Sequence, residues 1–407
     1  MRRKAIMAGV LLGVCAALWG CKADSKVRLE VFSTKMENRD ILQHFADEYM
    51  ELHPDVEIDF QAPPEGSTVL RTKLTKNRVP DVIFMGGDAA YKDLAGSGVL
   101  MDVSDMELVD SIQPAYRQQL YDRNKNQEEV MYGLPYATNA EGIIYNVDLF
   151  EKYGLSVPGT YEELIGICET LKQEGAQPFY FTFKDAWTLG PLFMPLAANL
   201  TPESFLQDRQ ENRTTFADTH REVAEKILEL REYGQKDLMG KSYDDGNIAF
   251  ANGEAAMYPQ GNWAIPNIQK ANPHVRLDMF TFPAGNTEEE NKVVSGIDVM
   301  TVISVDTDQE ALAKDFIQFV FREENMKAYM EDQFAFSAVA GYDQEEKSVA
   351  GLKSTFAEGR IVGFPDHFYP TGYDYAVDVQ AFIGRGNDID GFLGQMDEHY
   401  DKYNAMQ

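Results

Sequence analysis

Residues 27–60, VRLEVFSTKMENRDILQHFADEYMELHPDVEIDF, are the stretch that decides the fold. Apolar and polar residues alternate over 27–32 and again over 56–60, which predicts two strands. Between them, Ile41, Phe45 and Tyr49 recur at helical spacing, so a helix connects the two strands. This β-α-β unit predicts an α/β fold with a largely parallel sheet.

The same alternation of strand and helix signals continues along the chain. Residues 80–85, PDVIFM, are a short apolar run typical of a buried strand. Further on, Thr160 with Glu163 and Thr219 with Glu222 each have the spacing of a capping box, which predicts a helix after each pair.

Length and charge narrow the class of protein. The chain has 407 residues, which favours two domains, and no long Pro/Ser linker separates them. We therefore expect the chain to cross between the domains more than once. The formal net charge of -29 argues against nucleic-acid binding and against a basic membrane-binding patch, and it is typical of a soluble monomer.

The first twenty residues have the pattern of a signal peptide. A basic segment at 2–4 precedes a charge-free run at 5–19, which is short for a membrane span. The run ends in Leu18-Trp19-Gly20-Cys21, which resembles a bacterial lipobox. We expect residues 1–20 to be removed and Cys21 to carry lipid, placing the protein outside the cell membrane. The alternative is plain secretion with a cysteine there by chance.

A single cysteine, Cys168, would remain besides Cys21 after processing, so no internal disulfide is expected. Cys168 lies at helical spacing with Leu164 and Leu171, which predicts a buried core thiol.

Six segments together carry a family resemblance. They are 32–38 (FSTKMEN), 79–84 (VPDVIF), 133–146 (GLPYATNAEGIIYN), 250–257 (FANGEAAM), 259–263 (PQGNW) and 296–298 (GID). In this order and at these spacings, the chain resembles the bacterial extracellular solute-binding proteins of family 1, which are sugar-binding lipoproteins of ABC importers.

The resemblance implies a two-lobed α/β fold of the periplasmic-binding-protein kind, with a central ligand cleft. It implies three crossovers between the lobes, near 135–137, 294–296 and 341–349. The first lobe is then 27–136 plus 296–342, and the second is 137–295 plus 343–407. It further implies an oligosaccharide ligand, ABC permease subunits with a cytoplasmic ATPase as partners, no cofactor, and no catalysis.

Sugar recognition needs aromatic rings against the pyranose faces and planar polar groups at its edge. Trp187 and Trp263 lie in loop-like sequence, and Trp263 matches the stacking tryptophan of the family. The alternatives are that Trp187 packs in the core on Phe181 and Phe183, and that Trp263 packs under a loop.

Four charged residues are candidates for the polar edge of the site. Lys35 and Glu37 follow the first strand, and a Lys-x-Glu pair there resembles the family's α-galactoside and isomaltose binders. The alternative for this pair is an exposed charged loop. Asp88 follows a strand end, with a helix N-cap as its alternative role, and Asp298 follows Gly-Ile at a crossover, with a hinge hydrogen bond as its alternative.

A late loop at 363–373, GFPDHFYPTGY, resembles the one that closes over sugar in the same relatives. Phe364 and His367 are its candidate ligand residues, with core packing as the alternative. Asn139 and Glu141, at the first crossover, are candidates either for ligand contact or for a structural hinge.

The leading hypothesis is a sugar receptor whose ligand is an α-1,6-linked galactoside or glucoside. A secreted glycoside hydrolase, which needs two opposed carboxyl groups, is the alternative from another class. The same fold with a different sugar, a polyol or a peptide is a further alternative. The six histidines show no metal-ligand spacing, so no metal is expected.

Overall fold

The computed structural model describes residues 26–36, 38–63, 66–124, 128–342, 346–370 and 372–406. The predicted signal peptide, the lipidation site Cys21 and the candidate ligand residue Glu37 lie outside the described residues. Among the helices described, none has the length and apolar character needed to span a membrane.

The described strands form one sheet in the order β2-β1-β3-β7-β4-β5, with β6 and β8 paired to β4 and β9 paired to β7. The strands are β1 (Val27–Ser33), β2 (Val56–Gln61), β3 (Val82–Met85), β4 (Leu134–Asn146), β5 (Met257–Gly261), β6 (Leu277–Phe280), β7 (Val293–Ile303), β8 (Phe336–Ser337) and β9 (Ile361–Val362).

The sheet is mixed, so the prediction of a largely parallel sheet is wrong. Only β1–β2, β1–β3 and β7–β9 pair in parallel among the described strands, whereas β4 and β7 run antiparallel to each other and to most of their neighbours. Strand β7 comes from a distant part of the chain and enters between β3 and β4. Local alternation reveals a β-α-β unit but not the direction of a strand that arrives from elsewhere.

The helices lie between and after these strands. They are α1 (Arg39–Leu52), α2 (Gly66–Leu74), α3 (Ala89–Ser97), α4 (Leu108–Ser111), α5 (Pro114–Tyr121), α6 (Val147–Tyr153), α7 (Tyr161–Gln173), α8 (Gly190–Leu200), α9 (Phe205–Gln210), α10 (Phe216–Thr219), α11 (Arg221–Arg231), α12 (Tyr243–Ala251), α13 (Ile265–Ala271), α14 (Glu310–Val320), α15 (Glu323–Gln333), α16 (Lys353–Ala357), α17 (Tyr375–Arg385) and α18 (Ile389–Asn404).

One of the two predicted capping boxes is confirmed. The Thr160 hydroxyl accepts from the Glu163 backbone N–H, and the Glu163 carboxylate accepts from the Thr160 N–H, at the start of α7. The box predicted at Thr219 is wrong, because the reciprocal pair forms one turn earlier, between Thr215 and Asp218. Buried Cys168 on α7 is confirmed as a core thiol.

Buried apolar side chains of the described residues form three clusters. The first draws on 29–137 and 297–339. The other two draw mainly on 140–294 and 336–400. Strands β4 and β7 contribute to the first cluster and to the other two, and the β4–β7 register shifts between Pro135 and Thr138. The middle of these two long strands therefore lies where the separate cores meet.

Candidate functional site

Three predicted site residues meet in the middle of β4 and β7. The Asn139 amide on β4 donates to Asp298 Oδ1 on β7 over 3.4 Å, and the Lys35 ammonium donates to Asp298 Oδ2. Asn139 pairs with Gly296 in the ladder. Because alternate residues of a strand share one face, Glu141 projects on the same side as Asn139.

The loop that carries Lys35 is held in place by buried polar residues. The Ser33 hydroxyl accepts from the Lys35 backbone N–H at 3.2 Å and donates to Asn38 Oδ1 at 2.9 Å. Asn38 in turn donates to the Tyr329 hydroxyl at 3.1 Å. Lys35 is therefore partly buried and ion-paired, and a freely exposed charged loop does not describe it.

Glu141 is the central polar residue of this region. It is 4% exposed, and its Oε2 is buried with no hydrogen-bond partner among the described residues. Burial first, and the nearby Asp366 second, raise the pKa of Glu141 well above its usual value. A carboxyl group in this state can serve as a hydrogen-bond donor as well as an acceptor.

The late loop packs its aromatic rings directly onto β7. Phe364 precedes a short 3₁₀ turn at Pro365–Phe368 and His367 lies within it, with the two ring centroids 5.0 Å apart. A Cβ atom at Gly296 would stand 2.5 Å from the Phe364 ring, so only glycine allows this packing. Both predicted residues are thus brought to the same strand as Asp298.

Two residues of this region were missed by the sequence reasoning. Asp366 lies within the loop quoted above, and its Oδ1 is buried without a partner among the described residues. Burial raises the pKa of Asp366 to about 6, although Arg123 acts in the opposite direction. Arg123 is 2% exposed and lies two residues beyond the end of α5, where no sequence pattern marks it.

Arg123 connects the segment that follows β3 to the late loop. Its Nη2 donates to His367 Nδ1 at 2.9 Å, and its guanidinium carbon lies 5.2 Å from the centre of the Phe368 ring. Its Nη1 would lie only 3.0 Å from a Cβ atom at Gly87, beside Asp88.

Asp88 caps α3 and also reaches a cavity. Its carboxylate accepts from the Ala90 N–H at 2.9 Å, which is the N-cap role considered as its alternative. The side chain is exposed to the open cavity, yet the protein atoms around the carboxyl group raise its pKa. The cavity is about 710 Å³ and is bounded by Thr34, Ser67, Leu70, Arg71, Leu74, Met85, Gly86, Asp88, Ala90, Asp93, Leu94, Asp366, His367 and Gly372.

Trp263 lies beside β5, the strand that pairs with β4 at Glu141, and Tyr243 connects it to Trp187. Trp263 packs on Gly261, the strand partner of Glu141, so closely that a Cβ there would be 2.1 Å from the ring. Trp187 is 47% exposed and lies against Tyr243, with centroids 4.9 Å apart. The alternative of core packing on Phe181 and Phe183 is therefore wrong for Trp187. Tyr243 connects the two tryptophans through its hydroxyl, which donates to the Trp263 carbonyl at 3.5 Å.

Many buried polar atoms around these residues have no partner among the described residues. Such groups are rare in folded proteins, and a cluster of them calls for an explanation. They include atoms of Gln119, Arg123, Asn139, Glu141, Asn247, Tyr258, Gln260, Trp263, Asp366 and Tyr369. Within the described part of the chain, no three His, Cys, Asp or Glu side chains are grouped as a metal site. The arrangement suits an uncharged ligand rich in hydroxyl groups.

Comparison with known families gives one match that covers most of the chain. Residues 34–327 match the family described as bacterial extracellular solute-binding protein.

Two curated relatives span nearly the same length. The chain is similar to the multiple sugar-binding protein of Streptococcus mutans, at 26% identity over 84% of this chain and 82% of that protein. It is also similar to the melibiose/raffinose/stachyose-binding protein MelE of Bacillus subtilis, at 22% identity over 90% and 84%.

Among solved structures, the fold is similar to that of RafE. The complex of RafE with raffinose has a TM-score of 0.79 and 24% identity, over 93% of this chain and 100% of that one. The apo form of RafE from Streptococcus pneumoniae has a TM-score of 0.82 and 24% identity, over 93% and 98%. These likenesses establish the two-lobed α/β fold of this group.

Proposed function

The chain belongs to the bacterial extracellular solute-binding proteins, and from that premise we propose that it is a sugar receptor that delivers an oligosaccharide to an ABC permease. The observation that carries the proposal is the set of polar and aromatic groups along β4 and its two neighbouring strands. Lys35, Asn139 and Asp298 meet between β4 and β7. Trp263 lies at β5, on the other side of β4, and Tyr243 connects it to Trp187. Edge polar groups with facing aromatic rings are what a pyranose requires.

The ligand we propose is an α-1,6-linked galactoside or glucoside. Asp298, fixed between Lys35 and Asn139, would accept hydroxyl protons of the terminal hexose, and Phe364 would cover one end of the pocket. Glu37 would complete the Lys-x-Glu pair. The names of the relatives support this choice, since MelE is described as binding melibiose, raffinose and stachyose, and RafE is seen with raffinose.

The proposed lobes are 27–136 plus 296–342 and 137–295 plus 343–407. Support comes from the buried clusters, whose members fall largely on either side of these limits. The cleft residues lie where β4 and β7 pass from one cluster to the other. Hinge motion of the lobes would then close the cleft over sugar.

The proposed setting is the outer face of the cell membrane, with a lipid on Cys21 as the anchor. The partners are the permease subunits and their cytoplasmic ATPase, and the receptor acts as a monomer. The motif at 18–21 and the family membership support this setting.

A glycoside hydrolase is the second candidate, because the raised pKa values of Glu141 and Asp366 are a feature that such enzymes share. The named relatives are binding proteins, which favours a receptor. Incubation with raffinose or stachyose followed by chromatography separates the two: a hydrolase releases smaller sugars, and a receptor returns the oligosaccharide intact.

The test of the receptor is a thermal-shift and calorimetry panel on the processed chain. A ligand at a hundred times its Kd adds about 2.7 kcal/mol to the stability of the folded state, which raises Tm. We expect binding to melibiose, raffinose or isomaltose and weak or no binding to maltose, lactose and xylo-oligosaccharides. Asp298→Asn should weaken binding, and Asp308→Asn, at an exposed aspartate, should not. A preference for maltodextrins would refute the α-1,6 assignment, and no response to any sugar would refute the receptor.

A further inference from the structure

The contact between Arg123 and His367 determines where the histidine keeps its proton. A guanidinium group has only N–H donors and no acceptor. Because Arg123 Nη2 lies 2.9 Å from His367 Nδ1, that nitrogen must supply a lone pair. In a neutral imidazole the other nitrogen, Nε2, then carries the hydrogen.

We propose that Arg123 is a positioning residue that holds His367 in its neutral Nε2–H tautomer, so that the ring donates a hydrogen bond to a ligand oxygen in the cleft. The inference rests on the proposed function for its ligand, but the tautomer itself is a property of the sugar-free protein.

The cavity side of the ring is free to meet a ligand. His367 bounds the cavity of about 710 Å³, and no described residue makes a hydrogen bond to its Nε2. The ring is held on its other sides by Phe364 and by β7, where a Cβ at Gly296 would be 3.5 Å from Cε1. Turning the imidazole over would place a ring C–H group against Arg123 and break its hydrogen bond to Nδ1.

The charges around the pair keep the histidine neutral. Burial and the positive charge of Arg123 lower the pKa of His367 well below its usual value. Burial lowers the pKa of Arg123 to about 10, so that it stays a cation at neutral pH. The acidic and phenolic groups that face the pair from the surrounding elements are Asp88, Tyr91, Asp122 and Asp366, with Glu141 beyond Asp366.

A fixed N–H donor on His367 limits which chemical groups of a ligand can bind against it. Sugar hydroxyl, ring and glycosidic oxygens can all accept from Nε2–H. A group that can only donate, such as a protonated amine, cannot accept a hydrogen bond from Nε2–H and would place its own hydrogen against it. The pair thus selects for neutral sugars over amino sugars at this position.

The direct test is long-range ¹H–¹⁵N NMR on protein labelled with ¹⁵N-histidine, without sugar. The His367 signals are identified by their loss in His367→Asn. We expect an unprotonated Nδ1 and a protonated Nε2 that do not titrate between about pH 5.5 and 8. In Arg123→Met, the ring should mix tautomers or titrate closer to the ordinary value of about 6.5. Arg117→Met, on the preceding helix α5, should leave the signals unchanged.

Calorimetry with raffinose measures the consequence for binding. Arg123→Met should weaken binding by roughly 10- to 100-fold, the usual span for a hydrogen bond to a charged or fixed group. Glutamine places an amide N–H near the Nε2 position, whereas asparagine reaches only Nδ1. His367→Gln should therefore bind more tightly than His367→Asn.

Three outcomes would overturn the inference. They are an Nδ1–H tautomer in the unmodified protein, unchanged His367 signals in folded Arg123→Met, and tighter binding by His367→Asn than by His367→Gln. The spectrum of the unmodified protein keeps the test valid if Arg123→Met does not fold. If raffinose does not bind the unmodified protein, the proposed ligand fails, while the tautomer is still decided by the sugar-free spectrum.

Discussion

Replacing Asp366 with asparagine should stabilise the folded protein at neutral pH. The carboxyl group is partly buried, with an Oδ1 that lacks a partner among the described residues, and burial raises its pKa to about 6. Asparagine has nearly the same shape and carries no charge. The substitution therefore removes the cost of holding an ionised carboxylate in the cleft.

The magnitude follows from the difference between folded and unfolded pKa values. The ordinary value is 3.8 and the folded value is about 6, a difference of about 2 pH units, each worth 1.36 kcal/mol. Between these values the folded state holds a proton that the unfolded state has lost, so stability falls as pH rises. The penalty is absent below about pH 3.8 and complete above about pH 6. Asp366→Asn should thus gain about 3 kcal/mol at pH 7.5 and almost nothing at pH 4.

Urea unfolding at pH 4, 5, 6 and 7.5 measures the effect as a change in midpoint at constant slope. Asp308→Asn, at an exposed carboxylate, is the control and should shift stability by less than about 0.5 kcal/mol at every pH. A difference between Asp366→Asn and the unmodified protein that does not change with pH would refute the reasoning. So would a loss of stability at pH 7.5.

Two further predictions concern the proposed sugar-stacking residue Trp263 and the proposed lipid anchor at Cys21. Trp263→Ala should weaken sugar binding by roughly 2–4 kcal/mol with little loss of stability, as expected for an aromatic binding hot spot. Calorimetry measures the affinity, and unchanged affinity in a folded variant would assign Trp263 to loop packing. Cys21→Ser should move the protein from the membrane fraction to the medium, because two acyl chains bury many CH₂ groups at about 0.8 kcal/mol each. Retention in the membrane fraction, seen by immunoblotting, would contradict lipid anchoring.

The start of the fold could be predicted from the sequence almost residue by residue. The predicted strands at 27–32 and 56–60 are observed as Val27–Ser33 and Val56–Gln61, with the helix Arg39–Leu52 between them. Apolar periodicity was sufficient because these elements are set by local burial. Sheet direction was not predictable in the same way, since β7 pairs with β3 and β4 across more than a hundred residues of chain.

The residues of the candidate site likewise fall into those that the sequence could identify and those that depend on tertiary contacts. Lys35, Asn139 and Asp298 could be identified because each lies in a motif of the family, and the structure brings them within hydrogen-bonding distance. Arg123 stands in no motif, and its role depends on a contact with a residue 244 positions away. Asp366 carried a weak signal, a carboxylate inside an aromatic loop, but its burial depends on tertiary packing.

The unpartnered polar groups of the cleft also explain how such a site could discriminate among sugars. Glu141, Gln260 and Asp366 each have a buried side-chain atom without a hydrogen-bond partner among the described residues, and each such group costs about 1–3 kcal/mol. Apolar side chains in their place would favour folding, whereas a bound ligand that hydrogen-bonds to these groups recovers that free energy. A sugar that lacks the matching hydroxyl leaves the protein group without a hydrogen-bond partner. Its free energy of binding is then weaker by far more than the net 0.5–1.5 kcal/mol of one hydrogen bond. Sites built this way can reject an analogue that lacks one hydroxyl by factors of 10⁴–10⁵. In the proposed complex, in which the terminal hexose contacts these groups, the discrimination should therefore arise at that unit and much less at the sugar units nearer to the solvent.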